Sequence, residues 1–172
     1  SICALALAVV FAFSCHWPAN AAGIDRTYLF GMDTEEEIAK FDNDNTGARL
    51  ELTREVVRQG FGAMKVTPNG KALETKVAVD IDGVTLNEWI GKDALAVHVY
   101  IPEDMAIAPN SFFLGMADLS DGWAWVDGVF PKVEVVPGWN DVVYKLSDGM
   151  KKVEEGGHYK LYFSFFAVDE GG

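Results

Sequence analysis

Two tryptophans separated by one residue carry the most suggestive chemistry in this chain. Trp123 and Trp125 sit in Gly122-Trp123-Ala124-Trp125-Val126, between the turn pairs Asp121-Gly122 and Asp127-Gly128. In an extended strand, residues i and i+2 point the same way and stand about 7 Å apart. A flat indole can lie against the C–H face of a pyranose, covering apolar surface while little side-chain entropy is lost. The bland alternative is that one or both rings fill a core; the turn residues on either side favour exposure. Trp89, in Leu86-Asn87-Glu88-Trp89, is a candidate third ring set in a loop. Trp139, after Pro137-Gly138, reads as structural.

Polar groups that could orient such a ligand are found on two alternating segments. In Leu95-Ala96-Val97-His98-Val99-Tyr100-Ile101 the aliphatic set must face a core, and His98 and Tyr100 lie opposite it. In Tyr159-Lys160-Leu161-Tyr162-Phe163-Ser164-Phe165 the same reasoning puts Lys160 and Tyr162 on the non-core face. These four residues share one face only if their strands are neighbours. They would then donate and accept hydrogen bonds to hydroxyls; otherwise they are solvated residues on an outer surface.

Catalytic signals are weak by comparison. No G-x-S-x-G elbow, H-E-x-x-H or P-loop occurs. His98 and His158 are too distant in sequence to suggest a metal motif. A glycosidase needs two carboxylates about 5 to 10 Å apart across a cleft. Glu134 could supply one, and no acidic strand partner for it is evident. Asp42-Asn43-Asp44-Asn45-Thr46-Gly47 imitates the start of an EF-hand loop, but its twelfth position is Thr53, so it reads as a solvated loop.

The elements that must position these residues are mostly strands. Candidates are 28–32, 48–53, 61–66, 73–81, 94–101, 111–118, 122–126, 132–136, 142–146 and 158–168, separated by turns such as Pro68-Asn69-Gly70 and Asp148-Gly149. One helix is expected, over Thr34–Phe41, with Thr34 and Glu37 forming a capping box. Many short strands between Gly and Pro turns predict an all-β sandwich or jelly roll.

Composition bounds the partners. The 172 residues are 49% hydrophobic and 23% charged, with 14 Lys+Arg against 26 Asp+Glu and a formal charge of −12. Those proportions suit one folded domain. So negative a surface repels nucleic acid, anionic lipid and acidic polysaccharide, leaving neutral or cationic ligands. Ile2–Phe13 is an uncharged apolar run, too short to cross a membrane, followed by Pro18 and Ala19-x-Ala21. It reads as a secretory leader over residues 1–21, truncated at its start and cleaved after Ala21 or Ala22. Acylation at Cys15 is the second reading. The predicted domain is then 22–172, secreted, free of disulfides because Cys3 and Cys15 both lie in the leader, and not inserted in a membrane. Gly171-Gly172 reads as the start of a linker to a longer chain.

Four segments carry a family resemblance. Gly60-Phe61-Gly62-Ala63-Met64-Lys65-Val66 resembles the G-x-x-A-L-K-V strand of jelly-roll carbohydrate-binding modules. Leu29-Phe30-Gly31-Met32-Asp33 resembles their opening D-F-E-x-G strand, with Gly31 and Met32 in place of Asp and Phe. Leu95–Glu103 is similar to their L-x-V-D-V-Y-V-P strand, and Gly138-Trp139-Asn140-Asp141-Val142 to their G-W-N-x-V turn. The resemblance covers nearly all of 22–172 and is nearest to the mannan-binding family 27 type of secreted mannanases. It implies a galactose-binding-like jelly roll with one short helix after the first strand. It also implies a non-catalytic, monomeric module binding neutral plant polysaccharide, β-mannan or β-glucan, and targeting an attached glycoside hydrolase. A structural Ca2+ held by Asp33 and Asp169, at the ends of the first and last strands, is implied in the same way. The alternatives are a small jelly-roll hydrolase or lyase and a cell-surface adhesive or assembly domain.

Overall fold

Alternating apolar residues give each strand one face that must leave water, and two such sheets satisfy each other by packing face to face. The computed structural model describes residues 9–12, 27–70, 74–105 and 108–167. Its strands are β1 (Val9–Ala12), β2 (Phe41–Asp42), β3 (Arg49–Thr53), β4 (Ala63–Thr67), β5 (Glu74–Ile81), β6 (Ala94–Ile101), β7 (Ser111–Asp118), β8 (Ala124–Val129), β9 (Gly138–Lys145) and β10 (Tyr159–Phe166). Short helices α1 (Glu35–Ile38), α2 (Gly83–Trp89) and α3 (Asp148–Lys151) lie between them. Two five-stranded antiparallel sheets result, in the orders β3-β4-β1-β6-β9 and β2-β5-β10-β7-β8. The fold is an all-β sandwich.

The core is the product of that alternation. Val97, Val99 and Ile101 of β6, Phe112, Leu114 and Met116 of β7, and Leu161 and Phe163 of β10 are all 1% exposed or less. Each such side chain contributes about 1.5–3 kcal/mol on leaving water. Tyr144 of β9 meets Phe163 of β10 edge-to-face at 6.3 Å, joining the two sheets. The remaining faces of β5, β7, β8 and β10 form the outer surface of the second sheet. There Asp80, Lys160, Ala117 and Trp125 form one cross-strand row, and Ala78, Tyr162, Gly115 and Gly128 the next.

Local chemistry explains several elements. Thr34 Oγ1 accepts from the Glu37 amide and Glu37 Oε2 from the Thr34 amide, so the expected capping box starts α1. The helix stops at Ile38, sooner than the sequence suggests, because Phe41 is taken into edge strand β2 and packs on Phe30 at 5.1 Å. The buried Asn140 amide donates to the carbonyls of Val136 and Gly138 and accepts from the Val136 amide. It clamps the turn that opens β9, where Gly138 has φ +88°.

Some expected elements are absent or different. Residues 28–32 are not a strand, since Met32 at φ 60° breaks the extended path. Residues 132–136 are irregular, lying between Pro131 and the Asn140 clamp. The Leu86–Trp89 loop is helical, and Leu86 and Trp89, three residues apart, are both buried beneath α2. Among the described residues there are three short helices where one was expected. Val9–Ala12, within the expected leader, is the central strand of the first sheet, antiparallel to β4 and β6.

Candidate ligand-binding face

The β7–β8 hairpin sets the two indoles. Its turn ends with Gly122 at φ 61° and Trp123 at φ 70°. A bulky residue in left-handed backbone costs roughly 1–2 kcal/mol, a strain that proteins keep where a side chain must be aimed. Here it places the Trp123 ring 5.4 Å from Lys160 Nζ, on the outer surface of the second sheet. Trp125, opposite Ala117, lies on the same surface. Both indoles are 59% exposed.

Lys160 and Tyr162 of β10 stand on this face too, at its middle strand. Lys160 Nζ is 2.7 Å from Asp42 Oδ2 and 3.4 Å from Asp80 Oδ1, and His158 Nε2 is 3.0 Å from Asp80 Oδ2. Burial alone would lower the Lys160 pKa, but hydrogen bonding and charge from Asp42, joined by Asp80, outweigh it and hold the ammonium above the usual lysine range. Burial, and then the charge of Asp44, push the Tyr162 phenol upward. At neutral pH the face therefore offers a fixed cation and a protonated phenol next to two open rings.

The other expected members stand elsewhere. Trp89 is not a ring of this face: it is 2% exposed, in the core beneath α2, with Nε1 donating to the Met150 carbonyl at 2.9 Å. His98 and Tyr100 are on β6, in the opposite sheet, so the face that four residues were expected to share is divided between two sheets. His98 is 2% exposed, with Nδ1 against the Asp141 carboxylate, which Arg58 also engages at 3.2 Å. Tyr100 packs edge-to-face on Trp139 at 5.4 Å, and Arg58 covers that indole. Crowding by this cluster explains why His98 is sealed.

The Asp33 carboxylate, expected to hold calcium, is engaged by backbone amides at one of its oxygens. Its Oδ1 accepts the amides of Phe61 and Gly62 at 2.6 and 3.0 Å, bracing the entry to β4. Asp169 lies outside the described residues. No group of three or more metal-binding side chains stands together among the described residues.

Sequence reasoning missed the residues that support the rings. Phe113 stacks beside Trp125 with 7° between planes and centroids 6.2 Å apart. Phe130, 66% exposed, packs on Phe113 at 4.7 Å. Asp42, from the loop read as merely solvated, holds Lys160 in place. The alternation of β7 could have exposed Phe113, since Phe112 and Leu114 face inward.

No protein-family model matches the chain, and no curated protein matches it. One similar solved structure is described as the basis for the promiscuous specificity of carbohydrate-binding modules from the β-sandwich superfamily. It has 18% identity and a TM-score of 0.49, over 76% of this chain and 51% of that one. The chain thus spans about half the length of that structure.

Proposed function

We propose that this chain is a non-catalytic carbohydrate-binding module that takes a neutral polysaccharide, β-mannan before β-glucan, on the outer face of its second sheet. The observation that carries the reading is the pair Trp123 and Trp125, both 59% exposed on a face that also bears Lys160 and Tyr162. Aromatic faces take the apolar side of a sugar ring, and neighbouring donors select hydroxyl geometry. A net charge of −12 disfavours anionic glycans. In this reading the module is monomeric, exported, and targets an attached glycoside hydrolase to its substrate.

A catalytic reading has less to stand on. Asp42 and Asp80, the carboxylates that reach the lysine beside Trp123, are both engaged by Lys160. Glu134 lies in the irregular segment before β9. Affinity electrophoresis in galactomannan and in glucan tests the binding reading. Wild type should be retarded, with a dissociation constant on the order of micromolar, and Trp125→Ala should weaken binding by about 2 kcal/mol. Trp123→Gly separates function from folding: binding should drop by a similar amount while the melting temperature holds or rises, because glycine relieves the left-handed strain. Unretarded wild type in both gels defeats the proposal.

A further inference from the structure

The face carries more flat aromatic surface than two indoles. Trp125 and Phe113 lie parallel, 7° apart, and the space they occupy belongs to two glycines directly opposite each other, Gly115 on β7 and Gly128 on β8. A Cβ on Gly115 would stand 2.5 Å from Trp125 Cη2 and 2.9 Å from Phe113 Cε1. One on Gly128 would stand 2.4 Å from Phe113 Cε2 and Cζ. Real Cβ atoms do not approach so closely, so only a floor without side chains lets both rings lie down on the sheet. The result is a plate two rings long.

The aromatic row continues beyond the plate, at a tilt. Val129 pairs with Leu114, which brings Phe130 beside Phe113, with centroids 4.7 Å apart and 43° between planes. Phe166 of β10 follows at 6.4 Å from Phe130. These steps are on the scale of one sugar ring to the next. The register orders the rings along the strand direction, from Trp125 beside Ala117 to Phe166 beside Ser111. Rings toward either end stay open, Trp123 at 59% and Phe130 at 66% exposure. A site for a chain terminus is closed at one side, whereas among the described residues this row has open rings toward both ends.

We propose that the row Trp125–Phe113–Phe130 is a track for an internal stretch of an extended neutral glycan, so that affinity grows with chain length beyond the units held by the indoles. The inference rests on the carbohydrate-binding reading above and deepens it. The amphipathic cross-section of such a chain suits the face: C–H surfaces meet the rings while hydroxyls on one edge reach the Lys160 and Tyr162 side. The occupant is a neutral glycan because the open rings adjoin hydroxyl-binding groups at Lys160 and Tyr162 and the chain carries a net charge of −12.

The test is calorimetric titration of the full chain with β-1,4-mannan and β-1,4-glucan oligosaccharides of two, four and six units. Wild type, Phe130→Ala and Trp125→Ala are compared. Phe130 is mostly in solvent, so its removal should leave the melting temperature unchanged. The expected result is a wild-type affinity at least tenfold higher for a hexasaccharide than for a disaccharide. Phe130→Ala should erase most of that gain and leave disaccharide affinity alone. Wild-type affinity that stops rising at the disaccharide overturns the track. So does a Phe130→Ala variant that binds hexasaccharide as wild type does while Trp125→Ala abolishes binding; the indole reading then survives alone. If none of these sugars binds, both readings fall.

Discussion

Single side chains in this sandwich show where stability has been given up. Tyr144 is 1% exposed, and its hydroxyl has no hydrogen-bond partner among the described residues; burial pushes its pKa far upward. A buried hydroxyl left unpaired costs about 1–3 kcal/mol of lost hydration. Tyr144→Phe keeps the ring against Phe163 and removes the orphan oxygen. It is expected to raise stability by about 1 kcal/mol, or a few degrees in a thermal melt. A lower melting temperature would show that the hydroxyl has a role in the native state. Trp123 is the second concession, with its backbone held at φ 70°. The first has no evident purpose, whereas the second aims an indole over the face that also bears Lys160.

At the scale of elements, the β7–β8 hairpin both builds the second sheet and shapes its surface. Neither Gly115 nor Gly128 has left-handed backbone, so alanine at either place costs only the contact with the rings above it. Gly128→Ala must lift Phe113 and so tilt the plate. The expected outcome is glycan affinity several-fold lower, with stability lowered by about 1 kcal/mol, read by titration and melting together. Unchanged affinity would mean that planarity is irrelevant. Asp127 adds to this geometry: hydrogen bonds from Ser147 and from the Gly128 amide keep its carboxyl below the usual aspartate range. The hairpin's strand pattern was legible from alternation, and β6 and β7 fall where it put them. The plate was not, because a glycine opposite a glycine across two strands is a matter of register.

For the molecule as a whole, the first sheet depends on a strand from far upstream. Val9–Phe11 pair with Val66–Met64, and Val10–Ala12 with Tyr100–His98, joining a β3–β4 ribbon to a β6–β9 ribbon. A secretory leader cleaved after Ala21 or Ala22 remains our proposal for export, and such a cut would take this strand away. A chain starting at Gly23 would then leave the edges of β4 and β6 unpaired, a liability in any sheet. It is expected to melt below the chain that starts at Ser1 and to aggregate more readily. Equal melting temperatures would show that the sandwich holds without β1.

Alternation of apolar residues and the placement of turn residues determined by themselves the all-β class, the inward faces of β6 and β10, and the capping box of α1. Those are local properties: a strand's two faces and a helix's first turn are set within a few residues. Only the tertiary structure decided that β10 lies beside β7 and not beside β6, which gathers Lys160 and Tyr162 with the indoles and sends His98 and Tyr100 to the other sheet. It also buried Trp89, because a short helix with apolar residues three apart packs inward whatever its residues might otherwise bind. Which strands become neighbours depends on contacts distant in sequence, and a binding face is made of those neighbours.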